Sequence, residues 1–473
     1  MKSYGSRQRL PYPFILIEVI GDKGMNAEQK FKYMTEEPIP KLVCSLAVPT
    51  IISMLITSFY NMVDTYFVGK INTQATAAVG VVFSLMAIIQ ATGFFFGHGS
   101  GNYISRQLGA QNEEEASKMA SFGFFSALAA GCVLMILGLI FVEPLARFLG
   151  STETILPYTV EYLRYILIGA PYMTASLVLN NQLRFQGNAM YGMIGIVVGA
   201  VINIVLDPIL MFSLDMGIAG AALATIISQF ISFILLLWVS MRAPGIHIQW
   251  RNLSLQWHYF REVFRGGFPS LCRQGLASLA GIALNLAAGV YGDAAIAGMS
   301  IVSRITMLAF SVLLGFGQGF QPVCGFNYGA KLYHRVREAF FFCLKYSTIF
   351  LLIVSVLGYV NAPALVSIFR KGDPQVTSVG INALRYMCIS FPLTGGMVMS
   401  NMLLQSIGKA FQASLLATAR QGLFFLPLIF IMPAFMALQG VEMCQMISDI
   451  LTFCLAMPMS LHVLNQMKKE VAE

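Results

Sequence analysis

Apolar runs of bilayer length recur along this entire chain, and no other feature limits its fold so strongly. A spanning helix needs about 20 predominantly apolar residues. Only 11% of the 473 residues are charged, whereas soluble domains carry about 25%. Strands of a β-barrel would instead give short alternating segments. The sequence therefore predicts an all-α polytopic membrane protein with twelve transmembrane helices, with approximate cores at 42–69, 74–105, 117–142, 158–186, 190–213, 217–241, 262–291, 294–326, 336–361, 376–407, 410–433 and 438–465.

The placement of the basic residues predicts the topology. With the N-terminus inside, lysines and arginines cluster in the predicted inner segments, and the predicted outer loops hold only Lys70, Arg147, Arg370 and Lys371. This positive-inside bias accounts for the formal net charge of +8. We therefore expect contact with membrane lipid and none with nucleic acid, and we expect both termini in the cytoplasm.

The two halves of the chain repeat each other in order. Adding one constant to the residue number maps Pro49 onto Pro269, and the same constant relates further identical residues throughout the two halves. A constant larger by one maps Asn180 onto Asn401. Each half holds six spans, an even number, so both halves enter the membrane in the same direction as a parallel repeat. Two such lobes enclose a central cleft and can give alternating access by rocking.

The predicted domains follow from these spans and from the longest polar break. They are a cytoplasmic tail over 1–40, an N-lobe over 41–242, a cytoplasmic linker over 243–261, a C-lobe over 262–466 and a cytoplasmic tail over 467–473. Met25 is a second candidate for the start of translation, beside Met1.

Two carboxylates inside predicted spans are the candidate ion-binding groups. An ionisable residue in a bilayer is costly, so its default interpretation is functional. Asp64 lies roughly 8 Å before the outer end of the first span, and Asp207 lies at similar depth in the fifth. Asn203, four residues before Asp207, shares its helix face. Two such carboxylates do not both ionise readily and can take up a proton or a cation. The alternative is that each is a structural group bonded to a neighbouring Asn or Thr.

Charged residues in the second half are weaker candidates. Asp449 and Glu442 lie in the last span. The basic side chains of second-half spans are expected to reach the inner interface or to pair with these acids; they are Arg273, Arg304, Lys345 and Arg420.

Motifs of enzymes and pumps are missing from the sequence. There is no HExxH, GxSxG or nucleotide-binding pattern, and no soluble segment is long enough for a nucleotide domain. The eight scattered cysteines form no CxxC pair, and the five histidines have no ligand spacing. We expect a protein that is not an enzyme, needs no cofactor and draws its energy from an ion gradient, with H⁺ and Na⁺ both open as the coupling ion.

Five segments give the chain a resemblance to the MATE (multidrug and toxic compound extrusion) transporters from about residue 35 to residue 466. They are NMVDTYFVGK from Asn61, AVGVVFSLMAIIQ from Ala78, SRQLGAQNEEEA from Ser105, NIVLDPILMF from Asn203 and GIAGAALATIISQ from Gly217. The Asp in the first span makes the chain similar to the DinF-like branch and, within that branch, to the bacterial MepA-like exporters. This resemblance implies a V-shaped, two-lobe fold in a bacterial plasma membrane. It also implies efflux of cationic amphipathic compounds against H⁺ or Na⁺.

The resemblance also implies a coupling site in the N-lobe. The matching positions are Asp64, Tyr162, Asn203, Asp207 and Thr225, and the same set without Tyr162 is the candidate Na⁺ site. Asp64, Asn61 and Asn180 match substrate-binding positions in the cleft of the family. The NorM-like branch uses acids in spans seven and ten, where this chain has Arg273, Gln274 and Ser390 to Asn401, so coupling in the C-lobe is not expected.

Three functions stay open at this point. The first is an ion-coupled multidrug antiporter that works as a monomer. The second is a lipid-linked saccharide flippase of the same superfamily, which would favour a cationic cleft. The third is a membrane-embedded enzyme or scaffold, which the missing motifs and the paired halves disfavour.

Overall fold

A computed structural model describes residues 25–242, 246, 248–369 and 373–470 of the chain. Several predicted features lie outside the described residues: most of the predicted N-terminal tail with Met1, part of the predicted linker, Arg370, Lys371 and the last three residues.

The described residues form helices joined by short turns. Their bounds are α1 Ala27–Glu36, α2 Ile39–Val68, α3 Thr73–Gly109, α4 Glu113–Ile140, α5 Val142–Phe148, α6 Leu156–Phe185, α7 Ala189–Pro208, α8 Gly217–Arg242, α9 Trp257–Gly289, α10 Asp293–Gly329, α11 Tyr333–Val360, α12 Ala362–Phe369, α13 Pro374–Ser406, α14 Ala410–Thr418 and α15 Leu426–Glu470. π-helical turns at Ile209–Ser213 and Ala419–Phe425 extend α7 and α14.

Eleven helical segments of the described chain are long and apolar enough to cross a membrane. The last, Ala410–Lys469, has 60 residues, which corresponds to about 90 Å of helix, roughly three times the hydrocarbon thickness. It is broken at Ala437, where φ is 50°, and folds back so that the Cys444 Sγ lies 3.7 Å from the Phe425 carbonyl oxygen. The segment therefore makes two crossings, and the prediction of twelve transmembrane helices is confirmed.

The predicted repeat of the two halves reappears in the backbone of the turns. Gln111 and Lys331, which the offset of the repeat superimposes, have φ of 59° and 60°. Gly187 and Gly408, another superimposed pair, both have φ of 80°, a conformation that favours glycine because it has no Cβ. The short helices α5 and α12, which the sequence analysis did not predict, also begin at equivalent positions of the two halves.

Part of the predicted N-terminal tail is a helix packed on the bundle. Asn26 caps α1 through a capping box with Gln29. Lys30 Nζ then donates to the Gly187 carbonyl, 3.0 Å away, in the N-lobe. Asn327 Nδ2 of the C-lobe donates to the Met34 carbonyl at 3.1 Å. We call the side of the bundle that carries α1 the terminal end. There, α1 contacts both lobes.

The lobes meet mainly along α2 with α10 and α3 with α9, and α3 also packs on α10. Between α2 and α10, Thr50 Oγ1 donates to the Gly315 carbonyl at 2.6 Å, and the hydroxyls of Ser58 and Ser311 are 3.0 Å apart. A Cβ built on Gly315 would lie 2.6 Å from the Ile51 Cα. Glycine at this position therefore allows the close approach of the two backbones.

The contacts between α3 and α9 are concentrated toward the terminal end. His98 Nδ1 lies 2.7 Å from the Ser270 hydroxyl, and the Tyr103 hydroxyl lies 3.1 Å from His258 Nε2. Farther along α9, Cβ atoms built on Gly275 and Gly281 would have no neighbour within 4 Å. The V-shaped cleft between the lobes is therefore closed at the terminal end and opens toward the opposite end.

Candidate functional site

The two N-lobe carboxylates lie near the ends of their helices that face away from the terminal end. Asp64 is one turn before Val68, the last residue of α2, and Asp207 is the penultimate residue of α7. Asp207 is fully buried, and Asn203 Nδ2 donates to its Oδ1 at 3.3 Å. This confirms the shared helix face predicted from their spacing. The Asp207 carboxyl group is close enough to Asp64 for the negative charge of Asp64 to act on it.

A π-helical turn begins directly after Asp207 and Pro208. Proline has no backbone N–H, so the regular hydrogen-bond ladder is interrupted there, and the chain continues through Ile209–Ser213 with i to i+5 bonding. The Leu214 N–H donates to the Ile209 carbonyl at 3.0 Å. Such turns within helices are frequent at functional sites. The proline is evident from the sequence, whereas the π-helical turn was not predicted.

Buried hydroxyl groups complete this side of the N-lobe. Tyr162 on α6 and Thr225 on α8 are 1% and 2% exposed, and their side chains lie close to each other. The charges of both aspartates act on Tyr162. The structure therefore brings together the five predicted coupling residues, which come from four helices.

Two neighbours of this group, Tyr60 and Gln229, were not predicted from the sequence. Tyr60 interacts electrostatically with Asp64 and Asp207, and it lines the same cavity as Gln229. The spacing of Tyr60 and Asp64, four residues along one helix, is a signal that could have identified Tyr60. Gln229 had no such signal, because its position follows from packing between α2 and α8.

Three oxygen atoms in this group lack a hydrogen-bond donor from the protein. They are the buried atoms Asp64 Oδ1, Asn203 Oδ1 and Asp207 Oδ2. Buried polar groups are nearly always paired, so each such atom needs an explanation. Carboxylate and amide oxygens are ligands of hard cations, and a carboxylate can also take up a proton. No cluster of three or more His, Cys, Asp or Glu side chains suited to a metal occurs in the described residues, so a Na⁺ site here would depend on amide and hydroxyl oxygens.

A cavity of about 90 Å³ continues from Asn203 into the N-lobe. Asn180, a predicted substrate contact, lines it, whereas Asn61 and Asp64 do not. A drug-sized ligand needs about 300 Å³ or more, so this cavity suits water or a small ion. The polar lining residues are Thr57, Tyr60, Gln90, Ser176, Asn180, Asn203, Ser228, Gln229 and Ser232.

The buried acid of the C-lobe has a different environment. Asp449 is fully buried, and its Oδ1 lies 2.8 Å from Arg420 Nε. Ser390 and Gln445 also donate to its carboxylate, at 3.1 and 2.8 Å. The predicted pairing of a second-half arginine with a last-span acid is thus confirmed for Arg420. Within the described part of the chain, neither Asp64 nor Asp207 forms an ion pair.

Comparison with protein families gives a match in each half of the chain. The sequence model of the MatE family matches residues 49–209 and 269–431. The multidrug export protein MepA of Staphylococcus haemolyticus is 28% identical over 435 residues, which cover 92% of this chain and 95% of the relative. The protein of the same name from Staphylococcus aureus strain MSSA476 is 26% identical over 432 residues, covering 91% and 95%.

Solved structures resemble the chain over nearly its whole length. A MATE protein in complex with MaL6 superimposes with a TM-score of 0.88 at 26% identity, covering 95% of this chain and 100% of that chain. An outward-facing multidrug resistance MATE family transporter of the MOP superfamily gives the same TM-score, identity and coverage.

Proposed function

Because the chain belongs to the MATE family of membrane transporters, we propose that it exports cationic amphipathic compounds in exchange for H⁺ or Na⁺. The relatives that cover more than 90% of this chain are named multidrug export proteins. Members of the family are transporters rather than enzymes, in agreement with the sequence prediction. We further propose that it acts as a monomer in a bacterial plasma membrane, with the terminal end in the cytoplasm and the predicted domain boundaries.

The contrast between the acids of the two lobes carries this proposal. Burial of a carboxylate is costly unless the charge is compensated. In the C-lobe, Arg420 compensates Asp449 permanently. In the N-lobe, Asp64 and Asp207 have an amide and hydroxyl groups around them, and no cationic side chain of the described residues pairs with them. Their charge therefore suits a mobile partner, a proton or a Na⁺ ion, which can be released when the cleft changes its exposure.

In this mechanism Asp64 and Asp207 bind the coupling ion, while Asn203, Thr225 and Tyr162 orient the carboxylates. Na⁺ would be held by Asp64, Asn203, Asp207 and Thr225. A cationic drug contacts Asp64, Asn61 and Asn180 from the cleft side, because the adjoining cavity is too small to enclose it. Drug and ion then compete for the same negative charge, so binding of the ion releases the drug.

Alternating access requires that the lobes part at the terminal end and close at the other. The contacts that must break include Thr50 with Gly315 and His98 with Ser270. Arg106 Nη2 also pairs with Glu262 across this seam at 3.2 Å. Each contact is a single polar interaction worth about 1–3 kcal/mol, so ion or drug binding is strong enough to shift the equilibrium between the two arrangements.

The test is drug efflux in everted vesicles, driven separately by a pH gradient and by a Na⁺ gradient. Wild type is compared with Asp64→Asn and with Glu143→Gln, a charge-matched control on the exposed side of α5. We expect gradient-driven efflux of ethidium by wild type and the control, and its loss in Asp64→Asn. Equal efflux by all three proteins would exclude Asp64 from coupling.

The flippase alternative is disfavoured by the acidic N-lobe wall. A lipid-linked saccharide carries a pyrophosphate, which Asp64 and Asp207 would repel. A knockout strain with an altered glycolipid profile and unchanged drug sensitivity would reverse this preference.

A further inference from the structure

A second group of ionisable side chains lies at the floor of the cleft, where the two lobes meet. It consists of His98 on α3, Arg184 on α6 and Arg273 on α9, so both lobes contribute. His98 and Arg184 are only 1% and 2% exposed. His98 Nδ1 lies 2.7 Å from the hydroxyl of Ser270, one helical turn before Arg273, and the charges of both arginines act on His98 and on each other. We call this group the floor cluster.

The floor cluster is cationic, and its polar atoms are incompletely paired. Arg184 Nη2 donates to Asn181 Oδ1 at 2.5 Å, and Arg273 Nη1 donates to Asn401 Oδ1 at 3.4 Å. The buried atoms Arg184 Nε and His98 Nε2 have no hydrogen-bond partner in the described structure. No ion pair in the described residues includes Arg184 or Arg273.

Two other arginines between the helices of the described chain have an acid beside them. Arg420 pairs with Asp449 at 2.8 Å and Arg106 with Glu262 at 3.2 Å. Placing two guanidinium groups in one largely buried site without a counter-charge is unfavourable. The arrangement becomes favourable when an anion binds among them, and a planar guanidinium matches a carboxylate or phosphate in two parallel hydrogen bonds.

Arg273 is only partly buried, unlike Arg184 and His98. It lies one helical turn beyond Ser270, whose contact with His98 closes the seam between α3 and α9. The next glycines along α9, Gly275 and Gly281, face open space. A ligand that enters from the open end therefore meets Arg273 at the floor, while the unpaired carboxylates lie in the N-lobe.

We propose that Arg273, flanked by Arg184 and His98, binds the anionic group of an amphipathic ligand, so that the carboxylate of a carboxylate-bearing or zwitterionic compound has a partner of its own in the cleft. Export of such compounds rests on the proposed function, whereas their binding does not require ion coupling. A lipid phosphate has the same chemistry as a substrate carboxylate at this site, so the experiment includes both sources.

The test compares tetramethylrhodamine free acid with its methyl ester, two dyes that differ only in the carboxylate. Binding to the purified full-length protein is followed by fluorescence anisotropy. For Arg273→Gln we expect the dissociation constant of the acid to rise about tenfold or more, and clearly more than that of the ester. Arg273→Lys keeps the charge but not the planar fork, so it should lie between wild type and Arg273→Gln. Arg337→Gln is the charge-matched control, since that guanidinium lies over the Phe341 ring of its own helix.

Lipid is tested by repeating the titration in nanodiscs of phosphatidylcholine alone and of phosphatidylcholine with one third phosphatidylglycerol. A phosphatidylglycerol effect on acid binding that disappears in Arg273→Gln would support the anion site and identify a lipid phosphate as an occupant. Equal changes for acid and ester in Arg273→Gln would overturn the proposal. The proposal would also be overturned if Arg273→Gln left binding of the acid unchanged and phosphatidylglycerol had no effect that depends on Arg273.

Export of both dyes is measured in parallel for wild type and Asp64→Asn. If wild type exports neither dye but still prefers the acid through Arg273, the transport proposal fails and the anion site stands. If export depends on Asp64 but acid binding is independent of Arg273, the transport proposal stands and the anion site fails.

Discussion

Replacement of Asp449 by asparagine tests whether the buried carboxylate of the C-lobe is structural. The Asp449 carboxylate is 2.8 Å from Arg420 Nε and accepts hydrogen bonds from Ser390 and Gln445. Asparagine keeps the volume of the side chain but removes its charge. The substitution therefore leaves the Arg420 cation facing a neutral amide inside the bundle.

The expected loss of stability follows from the burial of this pair. Removing one partner of a buried ion pair costs about 3–5 kcal/mol. The Arg420 side chain is 19% exposed, and its guanidinium lies 4.7 Å from the centre of the Phe310 ring, so water and the ring retain part of its stabilisation. We expect the lower end, about 3 kcal/mol, or roughly a 100-fold change in the unfolding equilibrium.

The assay is reversible unfolding in mixed micelles by titration with sodium dodecyl sulfate. The double variant Arg420→Met with Asp449→Leu removes both charges and should come within about 1 kcal/mol of wild type. Ser390 stays satisfied in it, because its hydroxyl also donates to the Met387 carbonyl at 3.1 Å. Asp64→Asn is the control and should be neutral or slightly stabilising. A double variant as unstable as Asp449→Asn, or an Asp449→Asn protein as stable as wild type, would refute the reasoning.

Three further predictions concern other contacts. Asp207→Asn should abolish gradient-driven export without lowering the melting temperature, since no cationic partner is lost; a clear fall in melting temperature would assign Asp207 a structural role. Gly315→Val should disfavour closure at the terminal end, because its Cβ meets the Ile51 backbone at 2.6 Å; unchanged distances between spin labels on the two lobes would contradict this. Lys30→Ala removes a 3.0 Å bond to the Gly187 carbonyl and should speed hydrogen exchange in α1 about fivefold, for roughly 1 kcal/mol; unaltered exchange would show that other contacts hold the helix.

Local sequence patterns predicted most of the fold. Apolar length gave the twelve crossings, because a lipid-exposed backbone must form its hydrogen bonds within the helix. The ordered matches between the two halves predicted the parallel repeat, which returns in the φ angles of Gln111 and Lys331. The tail helix α1 was missed because it is short and carries no long apolar run, and contacts to Gly187 and Asn327 hold it in place.

The candidate site divides in a similar way. Asn203 and Asp207 could be paired from sequence because a four-residue spacing places both on one helix face. Tyr60 could have been found by the same rule. Gln229 and the floor cluster could not, since His98, Arg184 and Arg273 lie on three different helices, far apart along the chain. The spacing of residues along one helix cannot reveal a contact among side chains of different helices.

From the amino-acid sequence alone it follows that this chain crosses a membrane as two similar six-helix lobes, and segments such as NMVDTYFVGK identify its family. The bilayer imposes these features residue by residue, so they can be recognised along the chain. Which charges are compensated is known only from the packing of the helices. Asp449 has a guanidinium at 2.8 Å. Among the described residues, Asp64 and Asp207 have no such partner, and Arg184 and Arg273 have no acid paired with them. Compensation depends on the distance between side chains of different helices, and helix packing alone sets that distance.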